Sequence, residues 1–450
     1  MLFGKDKEAF LTPLGGVGEV GRNCFLYEQG RDILVVDCGI MPRLPEGREL
    51  LEENGDSAWK IPYLPKLEIL DKKMKGKDVN ALITHAHLDH IGGIAELAKR
   101  RIPIRISSFA KRFFTTRNIE NLFPDSIKPE FRAWFEQEYT FGQGNFYVDC
   151  FPLNHSIPGT FGIILKAGKK TIVHLTDFKF NGLEETRASF ERTLQDIRKT
   201  CGKLDCLVLD VLNADMEGFT PPENQIVQNI QELIEDTPQG RIFITFFSSN
   251  IQRLEELLKV CKKLHRPVKV LGRGMRISLQ EFLAANGEFQ SSSGFGHPNE
   301  VVILAGCQGE KKSHIWRSLT GGWLTPEGRY IKADVRMMSG DTIIFSSRCI
   351  PGNEELVKNL LETLYRKKVK VVLHQGEKEK LGLPFPVKEK FIHVSGHGQQ
   401  EDILRSIKIL EPKVIVPAHA TLDKVEILAG LLGFDAKKIA NLSIGETLKI

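Results

Sequence analysis

The chain has no long apolar run, no pairing pattern among its cysteines and no strong charge of either sign. No stretch approaches the roughly 18 consecutive apolar residues of a membrane span, which argues against a spanning helix. The start, MLFGKDKEAF, contains no apolar signal region, so the expected location is the cytoplasm. The 8 cysteines form no CxxC pair and are scattered, as expected of reduced core residues rather than a disulfide framework. A net charge of +5 neither demands nor excludes a nucleic-acid partner. Internal repeats, low-complexity tracts and long linkers are also lacking. The glycine- and serine-rich piece NGEFQSSSGFGHPN, residues 286–299, reads as a surface loop.

What is present is a succession of short β-branched runs that end in polar residues. Examples are DILVVDCG (32–39), VNALITHAH (79–87), TIVHLTD (171–177), LDCLVLD (204–210), GRIFITFF (240–247) and KVIVPAH (413–419). Amphipathic stretches at 250–264, 353–367, 400–410 and 422–433 predict helices between them, so the fold class is α/β. Asp37, His85, Asp177, Asp210 and His419 stand just after strands, where α/β proteins place their chemistry.

The strongest local signal is Thr84-His85-Ala86-His87-Leu88-Asp89-His90, followed by Ile91-Gly92-Gly93. His85 and His87 alternate at a strand end and so face one side, and Asp89 and His90 follow on the turn into a helix. Imidazole nitrogen with carboxylate oxygen suits zinc, with manganese as the second choice. A lone histidine would read as a core residue; four potential ligands in six positions do not. The cluster cannot close a two-metal site alone. His155, Asp177 and His419 are further candidates at strand ends, although each by itself also fits a helix cap or a satisfied core residue.

An HxHxDH turn followed by a His, an Asp and a late His resembles the ligand order of the metallo-β-lactamase superfamily. LGGVGEVGRN (14–23), NHSIPG (154–159), TDFKF (176–180), IPGNE (350–354) and HVSGHG (393–398) resemble the ribonuclease J family of its β-CASP branch, over essentially the whole chain. The resemblance implies a metallo-β-lactamase αββα sandwich interrupted by an α/β β-CASP domain, with boundaries at 1–221, 222–403 and 404–450. It implies His85, His87 and His155 on one of two zinc ions, Asp89, His90 and His419 on the other, and Asp177 bridging. Asp37 would orient the histidine loop from behind. Asp89 would also orient the attacking water, His397 would serve the leaving oxygen, and Asp210 would position His397. A 5′-phosphate pocket would be formed by His393, Ser395, Ser346 and Ser347, with Ser249 beside them.

The implied activity is hydrolysis of single-stranded RNA, by 5′-to-3′ exonuclease and endonuclease cuts, in RNA processing and decay. Most of the small positive excess lies within 222–403, on the proposed substrate side. Arg366-Lys367-Lys368 reads foremost as a solvated helix end. Departures from the family pattern are Cys307-Gln308-Gly309-Glu310 for SQGE, Arg348 for a small hydroxyl residue, VLNAD after Asp210, and Ala420-Thr421 after the last histidine. None of them removes a ligand. The chain ends soon after His419, which suggests a short form without a C-terminal assembly domain and leaves a homodimer through the core, or an RNA-processing complex, open. Two other readings stand beside this one: a small-molecule hydrolase of the same superfamily, and a catalytically silent RNA-binding subunit.

Overall fold

The computed structural model describes residues 8–41, 64–116, 131–134, 139–182, 186–272, 275–280, 297–311, 313–324, 329–350 and 352–450. Most of the loop expected at 286–299 lies outside them. The chain divides into two compact units, residues 1–220 with 395–450, and residues 221–394.

The first unit is built on two sheets. One has seven strands in the order Leu448–Lys449, Ala9–Gly15, Cys24–Gln29, Asp32–Val36, Asp78–Ile83, Ile104–Ser107, Phe131–Trp134. The other has six, in the order Val414–Ala418, Cys206–Asp210, Lys170–Leu175, Phe161–Ala167, Phe146–Pro152, Tyr139–Gln143. Alternation along the strands explains how they pack. Leu34 and Val36 face the second sheet and share a core with Val148, Ile163, Val208 and Val416. Ile33 and Val35 point the other way and are buried too, so the outer face of that sheet is also covered. Helices Arg187–Cys201, Gln400–Leu410 and Leu422–Leu432 cover the outer face of the six-stranded sheet through Phe190, Leu194, Ile407 and Leu428. This is the αββα sandwich, a mixed α/β architecture.

The second unit has one six-stranded sheet, in the order Val268–Leu271, Val301–Leu304, Ile242–Thr245, Thr342–Phe345, Lys370–His374, Lys388–Lys390, with every neighbouring pair parallel. Parallel strands are covered on both faces and so read as unbroken apolar runs, as IFIT and TIIF do. Ile242 and Ile244 pack under helices Glu223–Glu235 and Ile251–Lys263, while Phe243 packs on the other face with Leu360 and Leu364 of helix Glu354–Arg366. From Ile242–Thr245 the chain builds outward to one side, then returns and builds to the other through Thr342–Phe345. The carboxyl ends of these two central strands are therefore the topological switch point, where open α/β sheets form a ligand crevice.

Candidate metal centre

All nine residues singled out for ligation or catalysis fold into the first unit, most of them in loops that follow its strands. After strand Asp32–Val36 the chain turns at Asp37, which has φ 62°. The following loop lies against the HxHxDH turn: the Cys38 amide donates to the His90 carbonyl (2.8 Å) and the Ile40 amide to the Leu88 carbonyl (3.0 Å). Gly39 is required here, because a Cβ at this position would stand 1.7 Å from the Asp89 carbonyl oxygen. Buried Asp37 accepts from the Thr84 amide (2.7 Å) and hydroxyl (2.8 Å) and from His90 Nδ1 (2.7 Å). One carboxylate thus fixes both ends of the turn and aims His90 Nε2 inward.

Two groups of ligand atoms result. His85, His87, His155 and Asp177 form one, and Asp89, His90 and His419 form the other. In the first, His87 Nδ1 lies 3.2 Å from His85 Nε2 and 2.9 Å from His155 Nε2, and Asp177 Oδ2 lies 3.5 and 3.6 Å from those two Nε2 atoms. The far nitrogen of His155 donates to the Gly396 carbonyl (2.8 Å), so its Nε2 carries the lone pair. Such spacings match the roughly 3.3 Å between ligands at 2.0–2.1 Å from a tetrahedral ion. Lone pairs converging on one point repel each other unless a cation lies between them.

In the second group Asp177 Oδ1 lies 3.3 Å from His90 Nε2, and Asp89 Oδ2 lies 3.8 Å from His90 Nε2 and 3.6 Å from His419 Nε2. Asp177 Oδ1 is buried with no hydrogen-bond partner. A cavity of about 10 Å³ opens among Asn23, His90, Asp177 and His419, room for one atom-sized occupant. Both groups therefore fit divalent cations, and Asp177 turns one oxygen to each.

The electrostatics agree. Burial, reinforced by neighbouring histidines, holds His85, His87 and His155 well below the ordinary imidazole range, in the neutral form a ligand needs. For His90 burial acts downward, but Asp177, Asp37 and Asp89 overcome it and raise the pKa well above that range. Carboxylates that hold a proton this firmly will hold a cation in its place.

His397 stands beside this cluster. Its Nδ1 donates to Asp210 Oδ2 (2.8 Å), and Asp210 Oδ1 is itself fixed by the Leu212 amide (2.9 Å). The ring lies parallel to that of His419, centroids 5.0 Å apart, with Nδ1 3.8 Å from Asp177. Burial opposes its charge, but Asp177 and Asp210 raise its pKa to about 9.

The residues expected to bind phosphate are distributed over both units. Ser346 and Ser347 follow strand Thr342–Phe345, and Ser249 follows strand Ile242–Thr245, so the three flank the switch point of the second unit. His393 is there too, its Nδ1 3.2 Å from the Ser346 carbonyl. Ser346 is fully buried and its hydroxyl donates to the Ile392 carbonyl (2.6 Å), which makes it a support rather than a free donor. Arg348 faces His374, 3.3 Å from its Nε2. Ser395 lies in the first unit, where its hydroxyl accepts from the His397 amide (3.1 Å) and from Asn213 (3.2 Å).

The structure adds residues that received no role from sequence. The Asn23 amide group lies 2.8 Å from His419 Nδ1 and 3.0 Å from His90 Nε2 and donates to the Asp89 carbonyl (3.2 Å). Thr84 links Asp37 to His85. Asn213, in the VLNAD segment, also donates to the His397 carbonyl (3.3 Å). Asn23 ends the quoted run LGGVGEVGRN, which was the one available hint.

Comparison with known proteins places these features. Residues 17–246 match the metallo-β-lactamase superfamily, and residues 239–364 match the β-CASP domain of ribonuclease J. Ribonuclease J of Sinorhizobium meliloti is 30% identical over 474 residues, covering 99% of this chain and 75% of that protein. Ribonuclease J 1 of Streptococcus pyogenes is 31% identical over 463 residues, with the same coverage of 99% and 75%. A crystal structure of a protein of unknown function from Enterococcus faecalis shares the fold, with TM-score 0.65 at 13% identity over 99% of this chain and 100% of that one.

Proposed function

The chain belongs to the ribonuclease J family and is a metal-dependent ribonuclease, and on that premise we propose that two zinc ions, or manganese ions in their place, sit in the two ligand groups and that the protein cuts single-stranded RNA both from its 5′ end and internally. The observation that carries this reading is Asp177, whose two oxygens each face a separate set of histidines. His85, His87 and His155 are assigned to one ion and Asp89, His90 and His419 to the other. The small-molecule hydrolase reading falls with the family.

Bound there, divalent cations would bring the pKa of a water toward neutrality and offset the charge of the phosphate under attack. The protein's own groups do the rest. Asp89, the more exposed carboxylate at 17%, is assigned to accept a hydrogen bond from the attacking water and orient it. Asp37 keeps His90 in one tautomer and so keeps the turn rigid. His397 is assigned to give a proton from Nε2 to the leaving 3′ oxygen, while Asp210 holds Nδ1 and stabilises the charged ring. The products would be 5′-phosphate and 3′-hydroxyl ends.

His393, Ser347 and Ser249 are assigned to the 5′ phosphate, with Ser346 supporting them; Ser395 is instead held by Asn213 and the His397 amide. The insertion suggested by sequence at 222–403 would be the substrate-guiding part. The setting proposed is cytoplasmic RNA processing, as a homodimer or within a complex.

The test is metal content by mass spectrometry together with digestion of one RNA bearing 5′ monophosphate, triphosphate or hydroxyl. Two equivalents of metal and preference for the monophosphate are expected. His87→Ala should retain one equivalent and lose cleavage by at least about 1,000-fold while keeping its thermal midpoint. Full activity in His87→Ala would refute the ligand assignment.

A further inference from the structure

Helix Glu354–Arg366 of the second unit ends in a cluster of cations beside an exposed ring. Tyr365, 48% exposed, stacks on buried Phe385 with centroids 4.5 Å apart and planes at 13°. Together with Arg366, Lys368, Lys370 and Pro386 they line a groove of about 460 Å³, within the range of pockets that hold small ligands. The cations are rigidly presented: Lys368 has φ 57°, its amide donates to the Tyr365 carbonyl (2.9 Å), and its carbonyl accepts from Gly340 (3.0 Å). The Lys370 amide donates to the Asp341 carbonyl (2.8 Å). Arg366 pairs with Glu362, but Lys367, Lys368 and Lys370 have no carboxylate partner among the described residues.

Lys370 opens the strand whose far end is His374, about 13 Å along it, so the groove lies at the amino-terminal edge of the sheet, opposite the carboxyl ends that form the switch point. None of its residues belongs to the metal centre or to the proposed phosphate residues.

From an exposed aromatic face beside uncompensated cations on a fixed turn, we infer that this groove is a second binding site for single-stranded RNA, separate from the catalytic one. The Tyr365 ring takes a base and the lysines take the flanking phosphates. Recognition of this kind is insensitive to sequence and sensitive to salt. Its partner is the polyanion that the enzyme already cleaves, so the inference adds a site and leaves the assignment of metals and 5′ phosphate untouched.

The experiment uses the full chain with metals bound and RNAs of 4 and 40 nucleotides, each with a 5′ monophosphate. Lys368→Gln/Lys370→Gln and Tyr365→Ala are compared with the unaltered protein, and Tyr365→Phe is the control that keeps the ring. For the 40-mer, KM should rise about tenfold in the first two variants with kcat unchanged, and Tyr365→Phe should behave as the parent. For the 4-mer, which fills one site at a time, both constants should stay constant. The slope of log affinity for the 40-mer against log salt should fall by about 1.4 in the double lysine variant, 0.7 for each lost phosphate contact. Photo-crosslinking of a thiouridine-bearing 40-mer should label the peptide containing Tyr365. Unchanged KM and slope in every variant, with no crosslink, would overturn the inference and leave the face to a protein partner. An equal loss on both RNAs would also overturn it, since that would mark a general effect on the fold.

Discussion

Arg253 is fully buried yet carries a permanent charge, and its partners explain why it is tolerated. Its Nε meets Glu223 at 2.6 Å, Nη1 donates to the Ser346 carbonyl (2.8 Å) and lies 3.1 Å from His393 Nδ1, and Nη2 donates to the Val394 carbonyl (3.3 Å). His393 Nδ1 thus stands between a guanidinium that only donates and the Ser346 carbonyl, 3.2 Å away, that only accepts, so Arg253 holds the ring in place without fixing its tautomer. Burial, and then the charge of Arg253, keep that ring well below the usual imidazole pKa. Removing one member of a buried pair strands the other. Arg253→Met should therefore destabilise the protein by about 3–5 kcal/mol, and Arg253→Met/Glu223→Leu should recover most of that loss while 5′-monophosphate preference stays impaired. Urea unfolding and competition between monophosphate and hydroxyl RNAs measure the two effects. Nothing in the sequence announced Arg253, because one arginine in an amphipathic helix looks like a surface residue. The candidate metal histidines were legible for the opposite reason: four potential ligands within six positions have no comparable structural explanation.

Loops, more than strands, set the precision of the metal centre. The turn after strand Asp78–Ile83 owes its shape to the loop after strand Asp32–Val36, and the two backbones touch at Gly39. Gly39→Ala should displace Asp89 and His90 by about 1 Å and cost about 100-fold in kcat, with weakened metal binding. Unchanged metal content with normal kcat would show that the loops adapt independently. At this scale the sequence was informative about strands and helices, since VNALI and TIVHL announce themselves by composition. It was silent on which strand ends meet. Asp177 and His419 come together because strands Lys170–Leu175 and Val414–Ala418 flank Cys206–Asp210 in one parallel group, a pairing that depends on long-range register rather than local pattern. Family resemblance supplied that link, and periodicity could not have done so. The two-sided burial of Ile242–Thr245 was similarly visible as an apolar run, whereas its place at the switch point required the strand order.

Each unit also buries a histidine in neutral form, which gives the whole molecule a shared sensitivity to acid. In the sandwich, His174 lies 2.8 Å from the Tyr27 hydroxyl and edge-on to Phe25, and burial lowers its pKa to about 3. In the parallel unit, His374 accepts at Nδ1 from the His393 amide (3.1 Å), and burial with the charges of Arg348 and Arg253 lowers its pKa to about 4. An unfolded histidine titrates near 6.5. Between that value and the folded pKa the unfolded chain takes up a proton that the folded chain refuses, so stability is whole above about pH 6.5 and declines as pH falls. The decline continues to about pH 3 for His174 and about pH 4 for His374. Each residue contributes up to ~1.4 kcal/mol per pH unit within its window. His174→Gln and His374→Gln keep a polar partner without a titrating group. Each should flatten the dependence of the urea midpoint on pH between 6.5 and 4.5 by about one proton, and the double variant by about two. The other histidines are common to every variant and cancel in the comparison. Parallel curves for parent and variants would mean that both rings accept a proton in place, and that these cores are less closed to charge than their burial implies.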